Sequence, residues 1–244
     1  MVFIGIRRAT RIRILILLVA IVLIMAARIC AGAFAARMAT SSLKPVSRVE
    51  TSSKIVAFTF DLTFGESAPG KVLDALASAG AKATFFVAGP YAKAHPDVVR
   101  RIVQEGHEIA SQGYWHENLS AAEDSRVRES IARTHDILKS FTGVEPSLFR
   151  PPNGDYDDRV IRSALEVGYS TITWSLDSFD WRNTTADYIR RRVAGKARQG
   201  DIVRFHASDM FATTSEVIPG IISDLRARGL QASTVGELLR SAQD

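Results

Sequence analysis

From Lys54 to the end, short apolar or β-branched runs alternate with longer amphipathic stretches. Ile55–Phe60, Ala83–Val87, Glu108–Ser111, Leu148–Arg150, Ser170–Trp174, Ile202–Phe205 and Gln231–Ser233 read as strands. The stretches between them repeat apolar residues at helical spacing. Val72, Leu73, Leu76 and Ala79 share one face, as do Val98, Val99, Ile102 and Val103, and Val217, Ile218, Ile221, Ile222 and Leu225. Pro96 suits a first helical position, and Ser120 with Glu123, like Thr234 with Glu237, spells a capping box. Gly106, Gly168 and Gly229 stand where a helix is expected to end. Seven strand–helix units of this kind predict a mainly parallel sheet.

Polar residues narrow the architecture. Asp61, His116, Arg150, the pair Asp177 and Asp180, and His206 each lie at or just after the C-terminal end of a different strand. An open sheet gathers such groups at one switch point, whereas a barrel brings them to one mouth. Five contributing strands favour the barrel.

Ahead of this region, Ile14 to Ala27 form an unbroken run of 14 apolar residues preceded by Arg7, Arg8, Arg11 and Arg13. The run is short for a spanning helix, which needs about 20 residues, and suits a signal-peptide core. Ala31-Gly32-Ala33 and Ala33-Phe34-Ala35 fit a cleavage site, while an uncleaved anchor reaching Ala36 is the alternative. Either way the basic end stays inside and residues beyond it are delivered out of the cytoplasm, secreted or membrane-anchored. The expected organisation is a signal peptide or signal-anchor over 1–37, a linker over 38–53 and one domain over 54–244. Cys30, the single cysteine, falls in the N-terminal segment, so the domain carries no disulfide.

The net charge of +5 resides in that segment. Residues 1–37 hold six arginines and no acid, leaving 25 Lys+Arg against 26 Asp+Glu in the rest. A nucleic-acid-binding stripe is therefore excluded as the source of the basicity.

The mouth residues suit amide hydrolysis. Asp61 would take a proton from water and His206 would give one to the departing nitrogen. Asp177 would hold the His206 tautomer, and Arg150 would orient Asp61 and keep it ionised. Tyr114, Trp115, Tyr156 and Trp181 are candidates to stack on sugar rings. Trp174, inside a strand, reads as core, and His95, His107 and His135 as helix caps or decoration.

The segments Thr59-Phe60-Asp61-Leu62, Gln112-Gly113-Tyr114-Trp115-His116, Arg150-Pro151-Pro152-Asn153-Gly154, Asp177-Ser178-Phe179-Asp180-Trp181 and Phe205-His206 resemble, in order and spacing, the five motifs of the polysaccharide deacetylases. These are the NodB-homology proteins of carbohydrate esterase family 4, and the likeness is greatest to the sporulation-associated branch. The resemblance implies a distorted (β/α)7 barrel of parallel strands, following an N-terminal hydrophobic helix. It implies an enzyme that de-N-acetylates amino sugars of a cell-wall glycan such as peptidoglycan. Asp61 would be base, Arg150 its partner, His206 acid and Asp177 the residue tuning it. Asn153, through its backbone N–H, with Asp180, Trp181 and Arg204, would form the oxyanion- and substrate-binding group.

The family also binds a divalent metal, commonly zinc, through an aspartate and two histidines. Here Leu62 and Gln112 hold two of those positions and only His116 keeps a ligand, too few for a catalytic zinc. Arg204 stands where the family has an acetyl-pocket leucine. Two readings follow: a deacetylase with weak or unusual metal dependence, or a glycan-binding wall protein that has lost catalysis.

Overall fold

The computed structural model describes residues 43–182 and 184–242. The N-terminal apolar run, its cleavage or anchor alternatives and Cys30 lie outside the described residues. Among the described residues, no helix is long and apolar enough to cross a membrane.

Among the described residues, eight parallel strands are interspersed with helices. The strands are β1 (Ile55–Leu62), β2 (Thr84–Val87), β3 (Glu108–Ser111), β4 (Leu148–Phe149), β5 (Ser170–Thr171), β6 (Leu176–Asp177), β7 (Ile202–His206) and β8 (Gln231–Ser233). The helices are α1 (Ala68–Ser78), α2 (Gly89–Ala94), α3 (Pro96–Gln104), α4 (Asp124–Thr142), α5 (Asp158–Glu166), α6 (Ala186–Lys196), α7 (Thr213–Ala227) and α8 (Val235–Arg240). The sheet runs β5-β4-β3-β2-β1-β7-β6, with β8 paired to the start of β1. This is the expected distorted barrel, left open between β5 and β6. Seven strands were expected; the addition is β6, two residues long and too short to carry a hydrophobic period.

β1 shows why the sequence folds this way. Val56, Phe58, Phe60 and Leu62 face the helical shell and join its main apolar cluster, with Phe60 stacked between Phe85 and Phe205 at 5.2 and 5.3 Å. The alternate residues Ala57, Thr59 and Asp61 face the barrel interior. Ala57 packs there with Phe86, Ala110, Leu148, Ile172 and Ile202, and Val235 and Leu238 of α8 belong to the same cluster. Burial of each such aromatic or aliphatic side chain stabilises the fold by about 1.5–3 kcal/mol.

Two expectations need correction. The stretch read as a linker is part of the barrel in its second half. Val46 accepts from the Thr173 N–H and donates to the Thr171 carbonyl, both at 2.9 Å, and Val49 N–H reaches the Gly200 carbonyl at 2.9 Å. Arg48 also pairs with buried Asp201, its Nε at 2.9 Å. The segment thus runs from the outer edge of β5 to the residues just before β7. Ser120 makes no capping box either. Its N–H and hydroxyl both bind Asp155 at 2.8 Å, and α4 starts four residues later. The Thr234 cap is present, accepting from Glu237 N–H at 3.1 Å.

Candidate active site

Asp61 lies near the end of β1 with Arg150, just past β4, beside it inside the barrel. The Arg150 side chain is fully buried, over the Phe86 ring at 4.0 Å. Its Nη1 donates to Asp61 Oδ1 at 2.9 Å and to the Thr59 hydroxyl at 2.8 Å, and Nη2 to the Thr173 carbonyl at 3.0 Å. The second Asp61 oxygen, Oδ2, accepts from Arg204 Nε at 2.8 Å. Burial alone would push the Asp61 carboxyl up. The charges of Arg150 and Arg204 outweigh it and hold the group down at about 2.

Register delivers His206 to the same place. β1 and β7 pair so that Asp61 and His206 are Cα partners. The two-residue period of β7 puts Arg204 and His206 on one face, with Val203 and Phe205 on the other, in the shell cluster. Arg204 Nη2 lies 2.9 Å from His206 Nε2, and its guanidinium sits 4.1 Å over the Trp174 ring. Trp174 packs against the interior apolar cluster, as expected of a core residue, and also carries the Arg204 guanidinium on its face. A guanidinium only donates, so Nε2 accepts in this arrangement and the proton lies on Nδ1. Arg204 therefore covers one carboxylate oxygen of Asp61 and the Nε2 of His206.

The carboxylate behind His206 is Asp180. Asp180 Oδ1 lies 2.8 Å from His206 Nδ1, while Oδ2 accepts from the His206 backbone N–H and the Thr214 hydroxyl, both at 2.8 Å. This corrects the assignment of that task to Asp177. It also corrects the placing of Asp180 in the substrate-binding group, since its side chain is completely buried. Asp177 turns the other way. Its Oδ1 accepts from Phe179 N–H at 2.8 Å and Trp181 Nε1 at 3.3 Å, and its Oδ2 lies 3.6 Å from Arg204 Nη1. The exchange comes from Phe179, whose φ of 61 is left-handed. Such a backbone costs about 1–3 kcal/mol for a bulky residue, opposed here by the Asp177 bond and by Arg192 and Arg182 at 3.8 and 4.2 Å from its ring.

Asp61, Gln112, His116, Asn153, Arg204 and His206 line one cavity of about 210 Å³, with Thr63, Phe64, Ser208, Met210 and Phe211. Asn153 adopts φ 59, a left-handed turn that asparagine tolerates. Phe64 and Met210 are 62 and 71 % exposed; sequence reasoning missed them, because exposed apolar loop residues carry no periodic signal. Among the expected sugar-stacking residues, Trp181 stands outside the cavity lining. Tyr114 and Trp115 are covered by Arg133 and Arg126, at 3.7 and 3.1 Å from their ring centres. His107 is not decoration: it is buried, its Nδ1 accepts from Ala83 N–H at 3.2 Å, and burial drops its pKa to about 4.

The residues do not fit a catalytic zinc. Leu62 is fully buried in the shell cluster, and Gln112 spends its carbonyl oxygen on the Thr63 hydroxyl at 2.6 Å. His116 is exposed on the cavity wall. Among the described residues there is no group of three or more His, Cys, Asp or Glu side chains placed to hold a metal.

Residues 48–172 match the model of a family described as polysaccharide deacetylase. A peptidoglycan-N-acetylglucosamine deacetylase of Bacillus cereus is 34% identical over 195 residues, covering 79% of this chain and 91% of that protein. YlxY, an uncharacterised Bacillus subtilis protein, is 28% identical over 196 residues, 80% of this chain; the match spans only 60% of YlxY's length. Among solved structures, a carbohydrate esterase family 4 pseudoenzyme from Bacillus anthracis superposes with a TM-score of 0.76 at 27% identity, covering 80% of this chain and 69% of its own. A mutant of that pseudoenzyme, described as having restored enzymatic activity, gives the same TM-score at 28% identity.

Proposed function

The chain belongs to the polysaccharide deacetylase family, and from that premise we propose that it is an amide hydrolase removing acetyl groups from N-acetylated amino sugars of peptidoglycan. The observation that carries this reading is the pairing of Asp61 with His206, register partners that open into one cavity. Asp61 takes a proton from water while the water oxygen attacks the acetyl carbonyl. The C–N bond then breaks as His206 Nε2 gives a proton to the amine, leaving acetate and a free amino sugar. Arg150 positions Asp61, Asp180 positions His206, and the Asn153 backbone N–H faces the developing oxyanion. No step runs through a metal. Because Arg204 lies against Nε2, it must swing aside before the acid is loaded, and a carboxylate held at about 2 is a weak base. Turnover is therefore slow. The N-terminal apolar segment would deliver the domain to the wall, cleaved or as a membrane anchor, and a sporulation setting rests on motif likeness alone.

The same Arg204 contacts favour a second reading, a glycan-binding protein without catalysis. Acetate release from N-acetylglucosamine oligomers and peptidoglycan, with and without chelator, separates the two. The enzyme reading expects chelator-insensitive release that Asp61→Asn abolishes. Saturable glycan binding without acetate release would replace it by the second.

A further inference from the structure

We infer that Arg204 is the resident cation of this site, supplying to the cavity the positive charge that a divalent metal supplies in complete members of the family. The inference deepens the reading of the same cavity and concerns which charge the cavity is built around.

Three observations support it. The first is placement. Arg204 lines the cavity together with Gln112 and His116, and reaches Asp61 Oδ2 at 2.8 Å and His206 Nε2 at 2.9 Å. The second is support. The guanidinium lies 4.1 Å over Trp174, whose ring runs so close to Gly154 that a β-carbon there would meet it at 2.7 Å. A flat cation on an aromatic face between two acceptors is a held group, and only 13% of its side chain is exposed. The third is charge. In the complete site that the family resemblance describes, two aspartates, Arg150 and a dication leave one positive charge. Here the second aspartate is Leu62, and Asp61, Arg150 and Arg204 leave the same. Loss of the carboxylate at 62 and gain of the guanidinium at 204 thus balance, which loss of the metal alone would not.

A guanidinium and a zinc ion cannot share a cavity this small without repulsion. Position 204, and not the missing ligands alone, then decides whether zinc enters. The test is zinc calorimetry on the full chain in two backgrounds, Gln112→His and Gln112→His with Leu62→Asp. Each is compared with the same background carrying Arg204→Lys or Arg204→Leu. Arg204→Leu is expected to tighten zinc at least about tenfold in both backgrounds, and Arg204→Lys, which keeps the charge, by less than about threefold. The single background leaves buried Leu62 alone, so it decides the matter if the double one melts. Arg204→Gln replaces Arg204→Leu if thermal melts show the latter unfolded. Affinities equal within about twofold at Arg204 and Arg204→Leu, a lysine variant as tight as the leucine one, or no zinc binding after Arg204→Leu would each overturn the inference. None of these readouts needs turnover, so the inference fails separately from the enzymatic reading.

Discussion

Asp180 holds His206 from two sides. One carboxylate oxygen lies 2.8 Å from the imidazole Nδ1, and the other accepts the His206 backbone N–H at 2.8 Å. The imidazole is thereby fixed both in tautomer and in direction, with Nε2 toward the cavity. Asp180→Asn is expected to lower acetate release at least about a hundredfold, by removing the acceptor that sets the tautomer. Asp177→Asn, which leaves that contact intact, is expected to lose much less. Equal losses in a release assay would return the orienting role to Asp177.

Arg150 is a fully buried cation whose partner is a nearly buried carboxylate. Arg150→Met would leave Asp61 with one cation fewer inside the barrel and is expected to destabilise the fold by about 3–5 kcal/mol. Adding Asp61→Asn should recover part of that loss. Urea melts of the two variants decide it: no recovery in the double variant would mean that packing over Phe86, not charge, is what Arg150 supplies.

Stability is expected to fall on acidification in two windows. His107 ordinarily titrates near 6.5 and is held at about 4 in the fold, so the unfolded chain binds its proton first. Its contribution is complete above pH 6.5 and is lost as pH falls to about 4, on the order of 3 kcal/mol. Asp61, held at about 2 against 3.8, adds stability that is present above pH 3.8 and is lost as pH falls through 2, on the order of 2 kcal/mol. Denaturant melts at stepped pH should show both losses, and His107→Gln should flatten the upper one alone.

Removing residues 1–53 is expected to cost more stability than removing residues 1–43. The longer deletion strips the Val46 bonds to Thr171 and Thr173 and the Arg48 partner of buried Asp201. A loss of about 1–3 kcal/mol relative to the shorter deletion is expected, because buried Asp201 then loses its cation and keeps only the Ser175 hydroxyl and the Arg198 N–H as donors. Identical melting midpoints would show that the segment adds nothing to the barrel.

After dialysis, the unmodified full chain is expected to retain well below one zinc per chain, measured by elemental analysis. Leu62 in the apolar shell and Gln112 bound to Thr63 leave His116 without partners of its kind. Stoichiometric zinc would contradict this account of the donor set.

Much of this architecture was readable in the chain itself. The alternation in β1 separates shell residues from interior ones, and the motif order places Asp61, Arg150 and His206 at strand ends. These are properties of near neighbours, which a period of two or a short motif records. The edge pairing of Val46 was not readable, because a segment without its own period is held only by what it meets.

Tertiary structure decided which groups touch. Asp177 and Asp180 are indistinguishable in sequence as partners for His206. One left-handed residue, Phe179, settles it by rotating the chain between them. Arg204 looked like a change in a pocket wall. Only the β1–β7 register, which joins residues 143 positions apart, sets its guanidinium between Asp61 and His206. Contacts of that kind depend on pairing and on single backbone angles, and no local pattern encodes either.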